Sequence, residues 1–547
     1  MKKLLFLSLV VSGLVGAFLL SSYNAPSNLA TNENEAASDF ITEAPREIRP
    51  AFEQLTKIMA HQETGQIDIK DVIKERKQVN KLAQKKRANF KSEEPIQWDE
   101  LGPNNVGGRT RALVVDKMDN NIIYSGSVTG GMFRSTDAGS NWENMIDAVN
   151  KGCQAVTSMT QTDDGTLFIG TGSSFEVTGG VGPTGFFPGS GIFRSTDQGQ
   201  TYEQLTATIP SSNTDAWSAT NRMASQTING TTYLYAGTRS GLRVSSDNGT
   251  TWSNAQGITA QSTTYDVQVA TNGKVYAIVG AGLYRANDGI SFEQIDNTDG
   301  GFPSGQGGRK VLAVAPSDPN YVYVVTLNGD ALRRVYQSND GGDTFNIIGE
   351  KTPIFDPCCT QGGGCQGTYD LCITATSENP ERIFFGGISL WTWSEEGGWS
   401  QVDKYFGSET DPQYIHPDKQ GLFLHPTNPD IVYCTNDGGV YVTKNANDDF
   451  PNWQALNRGY NTYQCYGIAA NHVGWVASGA QDNGTHLIDY SFNSSKTALD
   501  IAGGDGIFTE LSNIDSNIGV GGSQNGNITR TTSGGSSFGC VLTRVSD

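Results

Sequence analysis

Three aspartates that stand beside glycines are the residues of this chain best suited to chemistry. Asp437 lies in TNDGGV, Asp482 in AQDNGT and Asp505 in GGDGI. Glycine allows the backbone to approach a ligand closely, and two carboxylates flanking a glycosidic bond can act as acid and as base or nucleophile. We therefore predict these three as candidate catalytic residues. The alternative is that each carboxylate only hydrogen-bonds the turn in which it stands.

Four side chains with charge or hydrogen-bonding capacity are candidates for contacting a ligand: Arg109, His416, Gln481 and Asn483. A lone histidine or arginine can equally be a packed structural residue, and that alternative stays open. The chain contains neither the zinc motif H-E-x-x-H nor the calcium loop D-x-[DN]-x-[DN]-G. We predict no metal and no cofactor.

A strand followed by a tight turn recurs along the chain and would position these residues. The clearest copies are GGMFRSTDAGSNW (130–142), SGIFRSTDQGQTY (190–202), SGLRVSSDNGTTW (240–252) and RRVYQSNDGGDTF (333–345). Each ends in Ser-x-Asp-x-Gly-x-x-aromatic, in which the aspartate can accept hydrogen bonds from its own turn and the glycine can take a positive φ. The aspartates of these boxes are Asp137, Asp197, Asp247 and Asp340. Because they recur around the molecule and catalysis needs one convergent site, we predict a structural role for them.

The composition agrees with many short strands joined by turns. The 547 residues include 66 glycines, and only 17% of residues are charged. Nine strand clusters can be marked, at residues 107–145, 153–205, 221–255, 264–295, 308–348, 369–402, 414–456, 464–489 and 498–538. At about four strands per blade, the prediction is an all-β fold: a large β-propeller of nine to ten four-stranded blades, or two tandem propellers, behind a short N-terminal helical leader.

The N-terminal region predicts export. Lys2 and Lys3 precede an apolar run that ends at Leu20, as in a secretion signal. We predict a signal peptide over 1–25, a flexible and helical basic leader over 26–96, and the propeller over 97–547. Truncation of the propeller at its C-terminus is an alternative that stays open. The protein is expected outside the cell or at its surface, with no membrane span beyond the signal segment. A net charge of −19 disfavours nucleic acid as a partner.

Four cysteines cluster in DPCCTQGGGCQGTYDLC: Cys358, Cys359, Cys365 and Cys372. Disulfides persist in exported proteins, and the zinc spacing C-x2-C…C-x2-C is absent. The cluster therefore predicts a pair of disulfides that pin a loop, with the pairing left open.

Two stretches carry a resemblance to known families. The boxes and the opening segment 98–142 resemble secreted bacterial BNR-repeat (Asp-box) proteins of the glycosyl-hydrolase-like kind. The ordered series IHPDKQGLFLHPTNPDIVYCTNDGGVY (415–441), GAQDNGTHLI (479–488) and AGGDGIF (502–508) resembles the family of sortilin-type (VPS10) and xyloglucanase-type propellers. The motifs that carry this resemblance specify the fold well and the activity poorly.

Two functions follow as expectations. The leading one is a secreted or surface propeller that binds protein or polysaccharide without catalysis, because no complete catalytic constellation is visible. The alternative is a glycoside hydrolase that acts on a β-glucan or xyloglucan-like chain with a pair of aspartates. Whether the protein is an enzyme stays open at this point, with the non-enzymatic interpretation preferred.

Overall fold

The computed structural model describes residues 100–542 except 177–186, 297–298, 361–363, 491–495, 524–525 and 536, and also residues 71, 74, 75, 78, 79, 81 and 82. These seven earlier residues are helical and fall in the predicted leader. The predicted signal segment lies outside the described residues. Within the described part, no helix is long and apolar enough to cross a membrane.

The described residues form nine antiparallel sheets of four strands, each with its strands in chain order. The first three sheets are β1–β4 (Thr110–Val115, Ile123–Ser127, Gly131–Ser135, Glu143–Asn144), β5–β8 (Val156–Gln161, Leu167–Thr171, Ile192–Ser195, Glu203–Gln204) and β9–β12 (Thr220–Ile228, Thr231–Thr238, Leu242–Ser245, Ser253–Asn254). The next three are β13–β16 (Thr264–Val269, Val275–Val279, Gly282–Ala286, Phe292–Gln294), β17–β20 (Lys310–Val314, Val322–Asn328, Ala331–Ser338, Asn346–Glu350) and β21–β24 (Cys372–Ala375, Arg382–Gly386, Leu390–Ser394, Gly398–Gln401). The last three are β25–β28 (Lys419–Leu424, Val432–Asn436, Gly439–Thr443, Gln454–Ala455), β29–β32 (Cys465–Ala470, Trp475–Ala480, Thr485–Asp489, Leu499–Ala502) and β33–β36 (Gly506–Leu511, Gly519–Ser523, Asn527–Thr531, Gly539–Leu542). A short helix, α1 (Ile146–Asn150), follows β4, and the segments Thr206–Thr208 and Ala216–Ser218 are 3-10 turns.

The inner strands of the first seven sheets are mostly buried and apolar because each of these sheets is covered by a neighbour on both faces. The second strand β14, with sequence VYAIV, is buried along its whole length, and so is β22, RIFFG. Runs of β-branched and aromatic residues suit such doubly covered strands. The outer strands β4 and β12 are two residues long and exposed. This arrangement of radial sheets is the predicted large β-propeller.

The first seven sheets close into a ring. The first strand β1 packs on β5 at one side and on β25 and β26 at the other. Leu113 and Phe133 share a buried cluster with Tyr433 and Tyr460, and the Trp142 indole donates to the carbonyl of Leu456 at 2.6 Å. The seventh sheet is therefore the neighbour of the first.

The last two sheets pack on each other outside this ring. The first strand β29 of the eighth sheet packs on β33 of the ninth, and Trp475, Leu487 and Leu511 form a cluster between them. Of the two predicted arrangements, the closed ring followed by a further pair of sheets agrees with tandem propellers. The strand β32 pairs with β31, so it belongs to the eighth sheet rather than to the ninth cluster marked in the sequence.

The cysteine cluster forms one disulfide rather than the predicted two. Cys359 and Cys365 are bonded, while Cys358 and Cys372 are buried free thiols. The prediction of a second disulfide is wrong because the Cys372 sulfur lies inside the sheets, 3.6 Å from the Lys419 carbonyl oxygen. Burial raises the pKa of the Cys372 thiol to about 12, which makes it unreactive.

The four box aspartates each bind their own turn between the third and fourth strands of a sheet. Asp247 accepts from the Ser245 hydroxyl at 2.8 Å and from the Thr251 amide at 2.9 Å. Asp137, Asp197 and Asp340 accept the equivalent bonds. The hydrogen bonds from Thr251 are the main reason that the pKa of Asp247 is lowered.

We expect Asp247→Ala to lower the free energy of unfolding by about 1 kcal/mol, since the turn loses the acceptor for the Ser245 hydroxyl and the Thr251 amide. Asp247→Ser is the matched control, because Ser533 stands at the aspartate position of the last sheet and accepts from the Ser537 amide at 3.1 Å. The serine variant should lose less stability than the alanine variant in chemical unfolding. Equal losses would contradict this role of the acceptor.

Candidate functional site

Strand direction gathers the candidate residues at one face of the ring. Successive strands of a sheet run in opposite directions, so the segment entering the first strand and the turn between the second and third strands lie at the same end. Arg109 precedes β1, His416 precedes β25, and Asp437 lies in the turn between β26 and β27. The box aspartates lie in third-to-fourth-strand turns and hence at the opposite face. The site and the boxes are thus on different sides of the propeller.

Arg109 is the centre of the site. Its Nε lies 3.3 Å from Asp437 Oδ2, its Nη1 3.1 Å from Glu176 Oε2 and its Nη2 3.5 Å from Asp482 Oδ2. The side chain is buried. Burial opposes its charge, but Tyr369 and these three carboxylates together raise the pKa of Arg109. One guanidinium therefore joins the first, second and seventh blades of the ring to the β30–β31 turn of the eighth sheet.

Asp437 is an ionised carboxylate closed off from water. Its side chain is 1% exposed, and it accepts from the Tyr369 hydroxyl and, at 3.1 Å, from the Gln420 amide. Burial opposes ionisation, but Arg109 and then these two donors hold the pKa of Asp437 below its usual value. Asp437 can therefore act on its neighbours electrostatically, whereas a substrate cannot reach it in this structure.

Asp482 differs from Asp437 in both exposure and charge state. Its side chain is 28% exposed. Burial of the turn and then repulsion from Asp437 raise the pKa of Asp482 well above its usual value, despite Arg109. Its φ of 59° is one that aspartate and asparagine tolerate better than most residues. Asp482 is thus a carboxyl group that keeps its proton at a pH at which Asp437 has lost its own.

Hydrogen bonds to its backbone fix the Asp482 turn. The Asp482 amide donates to Asp505 Oδ1 at 2.8 Å, and its carbonyl oxygen lies 2.9 Å from His416 Nε2. Asn483 donates to the Asp437 carbonyl at 3.0 Å. Burial lowers the pKa of His416, so its imidazole is neutral. Gln481 contributes its backbone, with its amide donating to the Gln464 carbonyl at 3.2 Å.

The structure thus brings all seven predicted site residues to one place, and it assigns the glycine beside Asp437 a packing role. A Cβ on Gly438 would lie 2.4 Å from the His416 ring. The glycine is needed because the imidazole fills its space. Of the three aspartates, Asp482 and Asp505 are partly exposed and Asp437 is not.

Sequence reasoning missed several members of the site. Glu176 follows the second strand of its sheet and binds both Arg109 and Arg111. Tyr369 and Gln420 donate to Asp437, and neither residue was singled out, although Gln420 stands in the quoted segment 415–441. Asp418 stands in the quoted segment 415–441. Its carboxylate accepts from Gln366, and burial followed by repulsion from Asp437 raises its pKa to about 7. Among the described residues, the side chains grouped with metal-ligand geometry are Asp356, Cys359 and Cys365, whose two cysteines are in the disulfide.

Comparison with known proteins finds xyloglucanases. No protein-family model matches the chain. The chain is 24% identical over 354 residues to the xyloglucanase Xgh74A of Acetivibrio thermocellus, which covers 62% of this chain and 37% of that protein. It is 26% identical over 268 residues to a xyloglucanase of a Paenibacillus species, covering 47% of this chain and 22% of the relative. The matched region thus spans little more than a third of the length of the first relative and about a fifth of the second.

A solved structure agrees in fold. The GH74 xyloglucanase of Xanthomonas campestris superposes with a TM-score of 0.57 at 15% identity, over 81% of this chain and 69% of that one. At this identity the likeness establishes the fold alone. The protein is therefore a large β-propeller of the kind found in GH74 xyloglucanases.

Proposed function

We propose that the protein is an extracellular glycoside hydrolase that cleaves a β-glucan backbone of the xyloglucan type. The observation that carries this proposal is the pair Asp437 and Asp482 on Arg109, whose pKa values are driven in opposite directions. A carboxyl group whose environment raises its pKa above that of its neighbours is suited to act as a general acid. The names of the two curated relatives support the substrate class.

Asp482 is proposed as the general acid. Its pKa is raised and its side chain is partly exposed, so it can protonate the glycosidic oxygen of the leaving sugar. Asp437 stays ionised and buried, and its charge helps to keep the proton on Asp482. Asp437 is thus a positioning residue in this proposal.

Asp505 is proposed as the second carboxylate of the reaction. It is partly exposed and lies beside Asp482, whose amide it binds. Such a carboxylate can activate water or attack the anomeric carbon. In this scheme the turn of the eighth sheet and the segment after β32 supply both reacting groups, and the ring supplies the charges that tune them.

The first test is release of reducing sugar from xyloglucan, from unsubstituted and mixed-linkage β-glucans and from a bacterial polysaccharide. We expect release from the xyloglucan, with Asp247→Ser as a variant that stays active because its box lies at the opposite face. Retention on a polymer without release would overturn the hydrolase and support a binding propeller. Neither release nor retention on any polymer would overturn both.

A further inference from the structure

A small cavity lies on the ring axis next to the site. It is partly open to solvent and is lined by Arg111, Arg222 and Arg309 together with Phe175, Tyr265 and Gln420. The three arginines come from or immediately precede β1, β9 and β17, which are first strands of the first, third and fifth blades. First strands line the axis of a propeller, so guanidinium groups converge there from several directions.

Carboxylates balance only two of these three arginines among the described residues. Arg111 Nε lies 3.0 Å from Glu176 Oε1, and Arg222 Nε lies 3.1 Å from Asp266 Oδ1. Glu176 also serves Arg109. The positive charge around the cavity therefore exceeds the negative charge paired with it.

Arg309 carries the unbalanced charge. It is 5% exposed, and its Nη atoms donate to the carbonyl oxygens of Thr368, Tyr369 and Leu371 at 2.7–3.2 Å. Its Nε is buried without a hydrogen-bond partner. Burial, followed by repulsion from Arg111 and Arg222, lowers the pKa of Arg309 to about 9. A buried cation without an anion is costly.

Other charged groups near the cavity do not neutralise Arg309. Asp370 is the nearby carboxyl group, but burial, followed by repulsion from Asp418 and Asp437, raises its pKa well above the usual value. The charged form of Asp370 is thus disfavoured, and no ion pair joins Asp370 to Arg309 among the described residues. Lys310 lies behind Tyr265, bonded to the Gly280 carbonyl at 3.2 Å, and adds a further cation.

We propose that this axial cavity binds one small oxyanion, of the size of phosphate or acetate. Guanidinium groups match planar and tetrahedral oxyanions through paired N–H donors, and Arg309 Nε offers a donor with no other partner. The cavity is also joined to the carboxylate site, because Gln420 lines it and donates to Asp437. The proposal concerns binding and does not depend on hydrolase activity.

The test is calorimetric titration with sodium phosphate and, separately, sodium acetate, at an ionic strength held constant with sodium chloride. We expect one site per chain and a saturable rise in melting temperature, because a ligand that binds only the folded state stabilises it. Binding of one oxyanion but not the other identifies the preferred geometry. Absence of saturable binding for both anions would overturn the proposal.

Two variants locate the site, and a third is the control. Arg309→Gln should weaken binding about tenfold or more, since a charged donor is lost. Ser173→Asp places a carboxylate at the cavity wall, where aspartate can still accept from the Phe175 amide as Ser173 does at 3.1 Å. This variant should be more stable without anion and should no longer respond to it. Arg334→Gln, which removes an arginine paired with Glu350 at the surface, should bind as the wild type does. Unchanged affinity in folded Arg309→Gln and Ser173→Asp would overturn the assignment.

Discussion

Asp482→Asn is expected to lower the rate of xyloglucan cleavage by about 10²–10⁴-fold, the range that general acid catalysis contributes. Asparagine tolerates the φ of 59° at this position, so the turn should keep its shape while the transferable proton is lost. The loss should be much smaller on an aryl β-glycoside whose phenol leaves without protonation. The measurement is kcat/KM for polymer and aryl substrate with wild type and variant.

A second variant separates the acid from its electrostatic support. Removing the negative charge in Asp437→Asn should lower the pKa of Asp482, because repulsion from Asp437 raises it. The basic limb of the pH–rate profile should then move to lower pH, since the acid loses its proton earlier. An active Asp482→Asn enzyme, or a basic limb that does not move in Asp437→Asn, would contradict these roles.

The sheets could be predicted from local chemistry, but the closure of the ring could not. A Ser-x-Asp-x-Gly turn can be recognised as a hairpin from the sequence alone, because all of its hydrogen bonds lie within five residues. Closure depends on the indole of Trp142 reaching Leu456, 314 residues further along the chain. Similar repeats give no local sign of which sheet packs against the first. The sequence therefore did not distinguish one large ring from two tandem propellers.

The site, like the fold, could be predicted from the sequence only in part. Asp437, Asp482 and Asp505 stand in turns that their glycines mark, and the structure brings them together. Their unequal exposure could not be predicted, since Arg109 and Tyr369 meet Asp437 only when the ring closes. Arg109 and Tyr369 favour the ionised form of Asp437, whereas Asp482 is the more exposed carboxyl group, with a raised pKa.

The stability of the fold should fall as the pH rises from about 4 to about 7, and Asp418→Asn should remove much of that fall. Burial and then Asp437 raise the pKa of Asp418 to about 7, whereas an unfolded aspartate titrates near about 3.9. Between these values the folded chain binds more protons than the unfolded chain, so stability decreases as the pH rises. Above pH 7 the loss of stability is complete. Its upper bound is about 4 kcal/mol, and the actual loss is smaller because Asp418 is only partly buried.

Asparagine suits this position for two reasons. Asp418 has a φ of 62°, which asparagine tolerates, and an amide oxygen can still accept from Gln366. Chemical unfolding at pH 4.5 and pH 8 should therefore show Asp418→Asn close to the wild type at the lower pH and more stable at the higher. The exposed substitution Asp119→Asn should show no such divergence. If the wild type and Asp418→Asn differ in stability by the same amount at both pH values, the prediction is wrong. The charge of Asp418 would then be balanced by Lys419 and Arg109, whose charges oppose the rise in its pKa.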